Sequence, residues 1–96
     1  TLEHIVQKTS HDVAKLFEVK DRGYLREGYF ADLVLVDFDN EWQVNKDNIL
    51  YKCGWSPFEG TTFKSKVTTT FVNGNPVYQN GTFDESTKGQ RMLFNR

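Results

Sequence analysis

The chain has 96 residues, of which 38% are hydrophobic and 15% aromatic, and its 12 basic and 13 acidic residues give a net charge of −1. This length is enough for one small domain, and the single cysteine, Cys53, excludes a disulfide scaffold. The charges are interspersed and offer no basic surface for nucleic acid, and neither a membrane-spanning run nor a secretory signal segment is present.

The N-terminal residues follow a helical period. Thr1 is a suitable N-cap, and Ser10 can cap a second short helix. The sequence therefore predicts two helices, over residues 2–9 and 11–17, with a joint at Thr9–Ser10. The apolar positions that set this period are Leu2, Ile5, Val6, Val13, Ala14, Leu16 and Phe17.

The pattern then changes from helical to extended. Gly23 and Gly28 bracket residues 24–27, which we predict to be a short strand or an extended arm between turns. Residues 33–36 are an uninterrupted apolar run, which is typical of a strand buried on both faces. A chain of this size has little structure left to cover both faces, so we expect polypeptide outside this sequence to supply the cover.

The middle of the chain alternates between short elements and a loop. Residues 41–44 predict a short strand, and Asn45 can cap a helical turn that continues through residues 49–51. Residues 53–60 form a loop with glycine near each end, and its two aromatic side chains suggest that it packs against other structure.

The C-terminal part is β-rich. Residues 65–72 alternate as a strand, and Asn73-Gly74 is a strong hairpin signal before a return strand that begins at residue 77. Asn80-Gly81 predicts a further turn, and residues 92–94 provide a small apolar anchor. We therefore expect an α+β chain in which helices precede about five strands.

The histidines and the cysteine give no catalytic arrangement. His4 and His11 are two helical turns apart, about 10 Å along one helix axis, which is too far for both to ligate one ion. Cys53 has no second cysteine and no neighbouring histidine, so we interpret it as a buried structural thiol.

The acidic and aromatic residues also favour structural roles. Asp32 and Asp37 flank the apolar run and are expected to face solvent at the ends of a strand. Glu59 lies in the aromatic loop, where burial would favour its protonated form, although a solvated carboxylate is the more usual state. The two aromatic residues of this loop, together with Phe63, could stack a base or a sugar, but no run of basic residues accompanies them. This set is Trp55, Phe58 and Phe63.

Several segments resemble the C-terminal part of the amidohydrolase superfamily, and of dihydroorotases in particular. The segment 22–37, which contains Ala31-Asp32-Leu33-Val34, is similar to the family's G-x-I-x-x-G-x-x-A-D-L-V-x-x-D segment. Residues 71–78 match its V-N-G-x-x-V-Y hairpin, and residues 2–17 look like its last barrel helices. The stretch 52–60, with Ser56-Pro57-Phe58-Glu59-Gly60, favours dihydroorotase over hydantoinase or allantoinase.

The resemblance implies a metal-dependent hydrolase on a (β/α)8 barrel that reversibly opens dihydroorotate to carbamoyl aspartate in pyrimidine synthesis. Residues 1–19 would be terminal barrel helices, and residues 20–96 would be the β-rich half of a composite β-sandwich built from both chain ends. The family's binuclear zinc centre uses an H-x-H pair, a carboxylated lysine, two further histidines and an aspartate, and its metal-bound hydroxide attacks the ring carbonyl. This chain has two histidines and no H-x-H pair, so we predict no catalytic, metal-binding or substrate-binding residue within it.

Partners and alternatives follow from this interpretation. The expected partner is the remainder of the same polypeptide, both barrel and N-terminal sandwich strands, in a cytoplasmic enzyme that could be a homo-oligomer and contacts neither nucleic acid nor membrane. The unshielded apolar faces of residues 2–17 and 33–36 should touch that polypeptide. The alternative is a stand-alone β-rich module that binds a ligand or a second copy through the loop of Trp55, Phe58 and Phe63.

Overall fold

A computed structural model describes all 96 residues. The chain begins with one continuous helix made of α1 (Leu2–Val6), a π-helical segment (Gln7–His11) and α2 (Asp12–Leu16). As expected, Thr1 caps it, because its side-chain oxygen accepts the His4 N–H at 3.2 Å. No helix of the chain is both long enough and apolar enough to cross a membrane.

The predicted break at Thr9–Ser10 is wrong, and so is the predicted cap at Ser10. The helix passes through this point by widening, since the Asp12 N–H donates to the Gln7 carbonyl in the i→i+5 pattern of a π-helix. The Thr9 hydroxyl turns back to the Ile5 carbonyl at 2.8 Å instead of capping a new helix. This widened turn holds one extra residue, so the apolar residues that follow it are rotated around the helix axis. That rotation is why the helical period of the apolar residues looks interrupted in the sequence.

The loop after the helix contains turns and no strand, so of the two alternatives for residues 24–27 the strand is wrong and the arm between turns is left. The loop joins the helix to the C-terminal segment instead. Lys20 N–H donates to the Leu93 carbonyl at 2.8 Å, and Asn95 N–H donates to the Glu18 carbonyl at 2.8 Å. Residues 92–94, predicted to be an anchor, are therefore held beside residues 18–20 by main-chain bonds.

Six strands form two antiparallel sheets, one strand more than expected. The larger sheet has the order β1 (Leu33–Asp37), β4 (Lys66–Val72), β5 (Asn75–Gln79), β6 (Thr82–Phe83). The smaller sheet pairs β2 (Trp42–Gln43) with β3 (Thr62–Phe63), a strand that the sequence did not reveal. Between them a 3-10 turn (Lys46–Asn48) is capped by Asn45 as predicted, although it ends before residue 49.

Both Asn-Gly pairs form two-residue hairpin loops, as their sequence predicts. Asn73 and Gly74 have φ of 48° and 81°, and Asn80 and Gly81 have φ of 47° and 91°. Positive φ at both central positions is the type I′ geometry, which matches the twist of the flanking strands. Local sequence alone therefore determines the β4–β5 and β5–β6 connections.

β1 is a strand as predicted, but this chain does not bury it. It lies at the edge of the larger sheet, and Val34 and Leu35, on opposite faces, are 57% and 53% exposed. The helix makes no extensive contact with either sheet, and only Ala14, Val44 and Thr69 in the whole chain are buried. The fold therefore has its secondary structure in place without a hydrophobic core of its own.

Candidate functional site

The junction between the helix and the following loop is built around His11. Its Nδ1 lies 2.7 Å from the Gly23 carbonyl and must donate to it, because a carbonyl can only accept. The imidazole stacks on the Tyr24 ring with centroids 4.1 Å apart and planes 8° apart. The Arg26 guanidinium lies 3.9 Å from the centroid of the same tyrosine ring. His11 thus holds the loop on the helix, whereas His4 is exposed.

A second junction connects this loop to the sheet through Asp32. One carboxylate oxygen accepts the Asn73 N–H at 2.8 Å, and the other pairs with the Arg22 guanidinium. Arg22 also donates to the Gln90 carbonyl at 3.2 Å and lies 4.1 Å from the centroid of the Phe30 ring. The predicted solvent-facing aspartate therefore joins three distant segments.

Sequence reasoning missed Arg22 altogether. Arg22 and Asp32 are separated by ten positions with two turns between them, so no helical or strand spacing connects them. The Asp32–Asn73 bond spans 41 positions. The one available signal was that the A-D-L-V and V-N-G segments both belong to the resemblance.

The other candidate side chains act locally. Asp37 accepts the Asp39 N–H at 3.0 Å, which is a turn contact at the end of β1. Glu59 is exposed. Cys53 is exposed as well, so its predicted burial is wrong, and its thiol lies 3.9 Å from the Trp55 carbonyl. Asp84 accepts from both the hydroxyl and the backbone N–H of Ser86, and these bonds lower the pKa of its carboxyl.

The predicted aromatic set is brought together only in part. Phe58 and Phe63 meet edge to face with centroids 6.1 Å apart, and Trp42 joins them at 5.5 Å from Phe63. Trp55 stacks on none of these rings and is 61% exposed. The structure thus offers a Trp42–Phe63–Phe58 cluster, and the three-ring platform of the sequence analysis is not assembled.

An open groove of about 890 Å³ lies against one face of the larger sheet. Its lining is partly apolar and also includes Lys66, Lys88 and Asp84. The apolar lining comes from Trp42, Leu50, Val67, Val72, Val77, Tyr78 and Phe83. A groove of this kind can receive another segment of polypeptide, but it holds no arrangement of nucleophile, base and oxyanion donors.

The residues of this chain do not fit a metal centre. No three side chains of the His, Cys, Asp and Glu types lie close enough together to hold an ion. The ring nitrogen of His11 that faces Gly23 is a hydrogen-bond donor and cannot ligate in that state. These residues instead offer exposed apolar surface, chiefly on the helix, on β1 and in the groove.

Comparison with known proteins gives consistent matches along the chain. The sequence profile of the amidohydrolase family matches residues 1–78. A dihydroorotase from Pyrococcus furiosus is 33% identical over 93 residues, which is 97% of this chain and 22% of that protein. An allantoinase from Desulfitobacterium hafniense is 33% identical over 91 residues, covering 95% of this chain and 20% of that protein.

The fold comparison agrees with the sequence comparison. An L-hydantoinase (dihydropyrimidinase) from Arthrobacter aurescens superposes with a TM-score of 0.77 and 30% sequence identity. The superposition covers 86% of this chain and 19% of that chain. The present chain thus spans about a fifth of the length of these relatives.

Proposed function

The chain belongs to the amidohydrolase family, and from this premise we propose that it is the C-terminal scaffold segment of a dihydroorotase-type hydrolase. Residues 1–19 would form the terminal helix of the (β/α)8 barrel, and residues 20–96 one half of the composite β-sandwich. The parent reaction is the reversible hydrolysis of dihydroorotate to N-carbamoyl-aspartate, in the cytoplasm. The dihydroorotase similarity over 97% of the chain supports this choice.

One observation carries the scaffold role, namely the excess of exposed surface. The chain exposes 7827 Å², whereas a compact protein of 11.2 kDa exposes about 5,700 Å². The difference of about 2,100 Å² is more than twice the ~800 Å² that one partner contributes to a typical stable interface. The radius of gyration of 15.5 Å likewise exceeds the ~12–13 Å expected for this length.

The open edge of β1 indicates the kind of partner. The Thr68 hydroxyl donates to the Leu35 carbonyl at 3.4 Å, so the main-chain groups of Leu35 face β4. The register shifts by one residue between Leu35 and Val36, and β4 is the one strand that β1 pairs with, so the other edge of β1 has no partner strand. No proline or inward-pointing charge protects this edge. We propose that the remainder of the same polypeptide, including N-terminal sandwich strands, covers it.

The proposed parent needs a metal centre that this chain cannot build. A binuclear zinc site with a carboxylated lysine would supply Lewis-acid activation of the scissile carbonyl. Since no suitable cluster lies among these residues, all ligands would come from the barrel. The role of this chain would be to close the barrel with its helix and to pair with the other half of the sandwich.

The parent polypeptide tests the proposal directly. We expect zinc-dependent opening of dihydroorotate, with much slower turnover of hydantoin and allantoin, and we expect the isolated 96-residue chain to show neither turnover nor retained zinc. A preference for hydantoin or allantoin would overturn the substrate, and turnover by the isolated chain would overturn the scaffold role. Ligand binding by the isolated chain, lost in Trp55→Ala, would instead favour the stand-alone module.

A further inference from the structure

The chain contains two Asn-Gly hairpin loops, and their environments differ. Asn73-Gly74 connects β4 with β5, and Asn80-Gly81 connects β5 with β6; all four residues are exposed. An asparagine followed by glycine is prone to deamidation, because the missing side chain lets the glycine nitrogen reach the asparagine side-chain amide. From sequence alone the two loops are equally susceptible.

The first loop is held at the reacting nitrogen. The Gly74 N–H donates to the Ala31 carbonyl at 2.9 Å, and the Asn73 N–H donates to the Asp32 carboxylate at 2.8 Å. Asp32 is itself paired with Arg22, so this loop is anchored to the rest of the chain. Attack by the Gly74 nitrogen requires the first of these bonds to break and the loop to rotate.

The second loop lacks such an anchor. The Asn80 N–H donates to the Thr68 carbonyl at 2.8 Å, but the Gly81 nitrogen has no backbone acceptor. A Cβ built on Gly81 would meet no atom within 4 Å, so the space around the loop is open. β6 is a two-residue strand at the sheet edge, and such ends open far more often than central strands.

We propose that Asn80 is a deamidation site and that the bonds to Ala31 and Asp32 protect Asn73. The Gly81 nitrogen loses its proton and forms a bond to Cγ of Asn80, the Cγ–Nδ2 bond breaks, and ammonia leaves. Water then opens the resulting succinimide at either carbonyl and gives aspartate or isoaspartate. The net change is amide plus water to carboxylate plus ammonium, with no oxidant or reductant.

The test is peptide mapping by mass spectrometry after incubation of the full-length parent polypeptide at mildly alkaline pH. One protecting backbone hydrogen bond of ordinary net strength predicts that Asn80 converts about fivefold faster than Asn73. In denaturant the two sites should convert at similar rates, because only the fold distinguishes them. Equal rates in the native protein, or faster conversion of Asn73, would overturn the proposal.

A variant pair tests the source of the protection. Asp32→Ala removes the carboxylate that holds the Asn73 N–H but leaves the Gly74–Ala31 bond, so the native rate at Asn73 should rise part of the way to the rate at Asn80, which stays the same. Asp37→Ala is the matched control, since the Asp37 carboxylate bonds only to the Asp39 N–H in its own turn. An unchanged Asn73 rate in Asp32→Ala would contradict the assignment. So would native wild-type protein in which both sites convert as fast as they do in denaturant.

Discussion

Gly23→Ala should loosen the loop from the helix, whereas Gly28→Ala should be mild. The two glycines have φ of +89° and +85°, so an alanine at either position meets the same left-handed backbone cost, about 1–2 kcal/mol. The space around them differs. A Cβ on Gly23 would lie 2.4 Å from the Ala14 Cβ and 3.0 Å from the Ser10 carbonyl oxygen, while a Cβ on Gly28 would meet nothing within 4 Å.

The extra cost at Gly23 can be estimated from what must move. Ala14 is 7% exposed, and Ser10 presents helix backbone, so neither can retreat cheaply. Overpacking of this kind costs about 1–3 kcal/mol. Displacing the loop also strains the His11–Gly23 hydrogen bond, with a net value of about 1 kcal/mol. We therefore expect about 3–6 kcal/mol for Gly23→Ala and about 1–2 kcal/mol for Gly28→Ala.

Hydrogen exchange of the parent polypeptide, measured on peptides that cover residues 2–16 and 17–30, reports this local opening. A difference of about 2–4 kcal/mol predicts exchange about 30- to 900-fold faster in Gly23→Ala than in Gly28→Ala. Gly28→Ala is the control for backbone strain, because it shares the left-handed φ without the contact. Equal exchange in the two variants would show that the approach of Gly23 to Ala14 does not hold the loop.

Three further predictions concern pH, the edge of the sheet and the isolated chain. Ser86→Ala should raise the pKa of the Asp84 carboxyl toward the ordinary 3.8, and NMR titration of that carboxyl should separate the variant from wild type. Because the pKa is lowered in the folded protein, the Ser86 bonds stabilise the fold above the unfolded pKa, and this stabilisation is lost as pH falls through the folded pKa. The stabilities of variant and wild type should therefore converge in acid. Val34→Asp should change the stability of the isolated chain little, since Val34 is 57% exposed there. In the parent it should lower the free energy of unfolding in urea by about 3 kcal/mol or more. An equal small effect in both would contradict coverage of β1. Small-angle scattering of the isolated chain should give a radius of gyration above the ~12–13 Å of a compact domain, and a compact monomer with covered faces would count against the scaffold role.

The elements that the sequence predicted correctly are those whose causes are local. The two Asn-Gly loops, the cap at Thr1 and the cap at Asn45 each depend on a few neighbouring residues, and each is present. The continuity of the helix was missed because a π-helical segment absorbs the phase shift that looked like a break. Phase alone cannot distinguish a widened turn from an interruption.

The candidate junctions were harder to predict because their partners are distant in sequence. Asp32 was recognised as the end of a strand, yet its contacts with Arg22 and Asn73 depend on the path of the intervening loop and the register of the hairpin. An ordinary surface or helix-end position was expected for His11, but it lies part-buried inside the continuous helix, and nothing in its neighbours indicated the carbonyl of Gly23. Both junctions depend on the topology of the chain, and the sequence pattern did not determine that topology.

The exposure of β1 shows the limit of a prediction from hydrophobic pattern. Four consecutive apolar residues predicted a strand covered on both faces, while in this chain those faces are open. A run of this kind predicts that both faces of the strand are buried, but it does not predict which part of the polypeptide buries them. The open faces of β1 are what the cover proposed above would bury, and the excess exposed surface supports the same proposal.

The connections that do exist within the chain lead to the same conclusion. The helix and the larger sheet are joined by polar contacts at Asp32, His11 and the C-terminal segment, each worth about 1–3 kcal/mol at most. The chain hides about half of its unfolded surface, where a compact domain of its mass hides about two thirds. Since the burial of apolar surface is the main force that opposes chain entropy, these polar junctions can orient the helix relative to the sheet but cannot hold both in place. Val34→Asp in the parent is thus the sharpest test, because it places one charge where that burial is expected to occur.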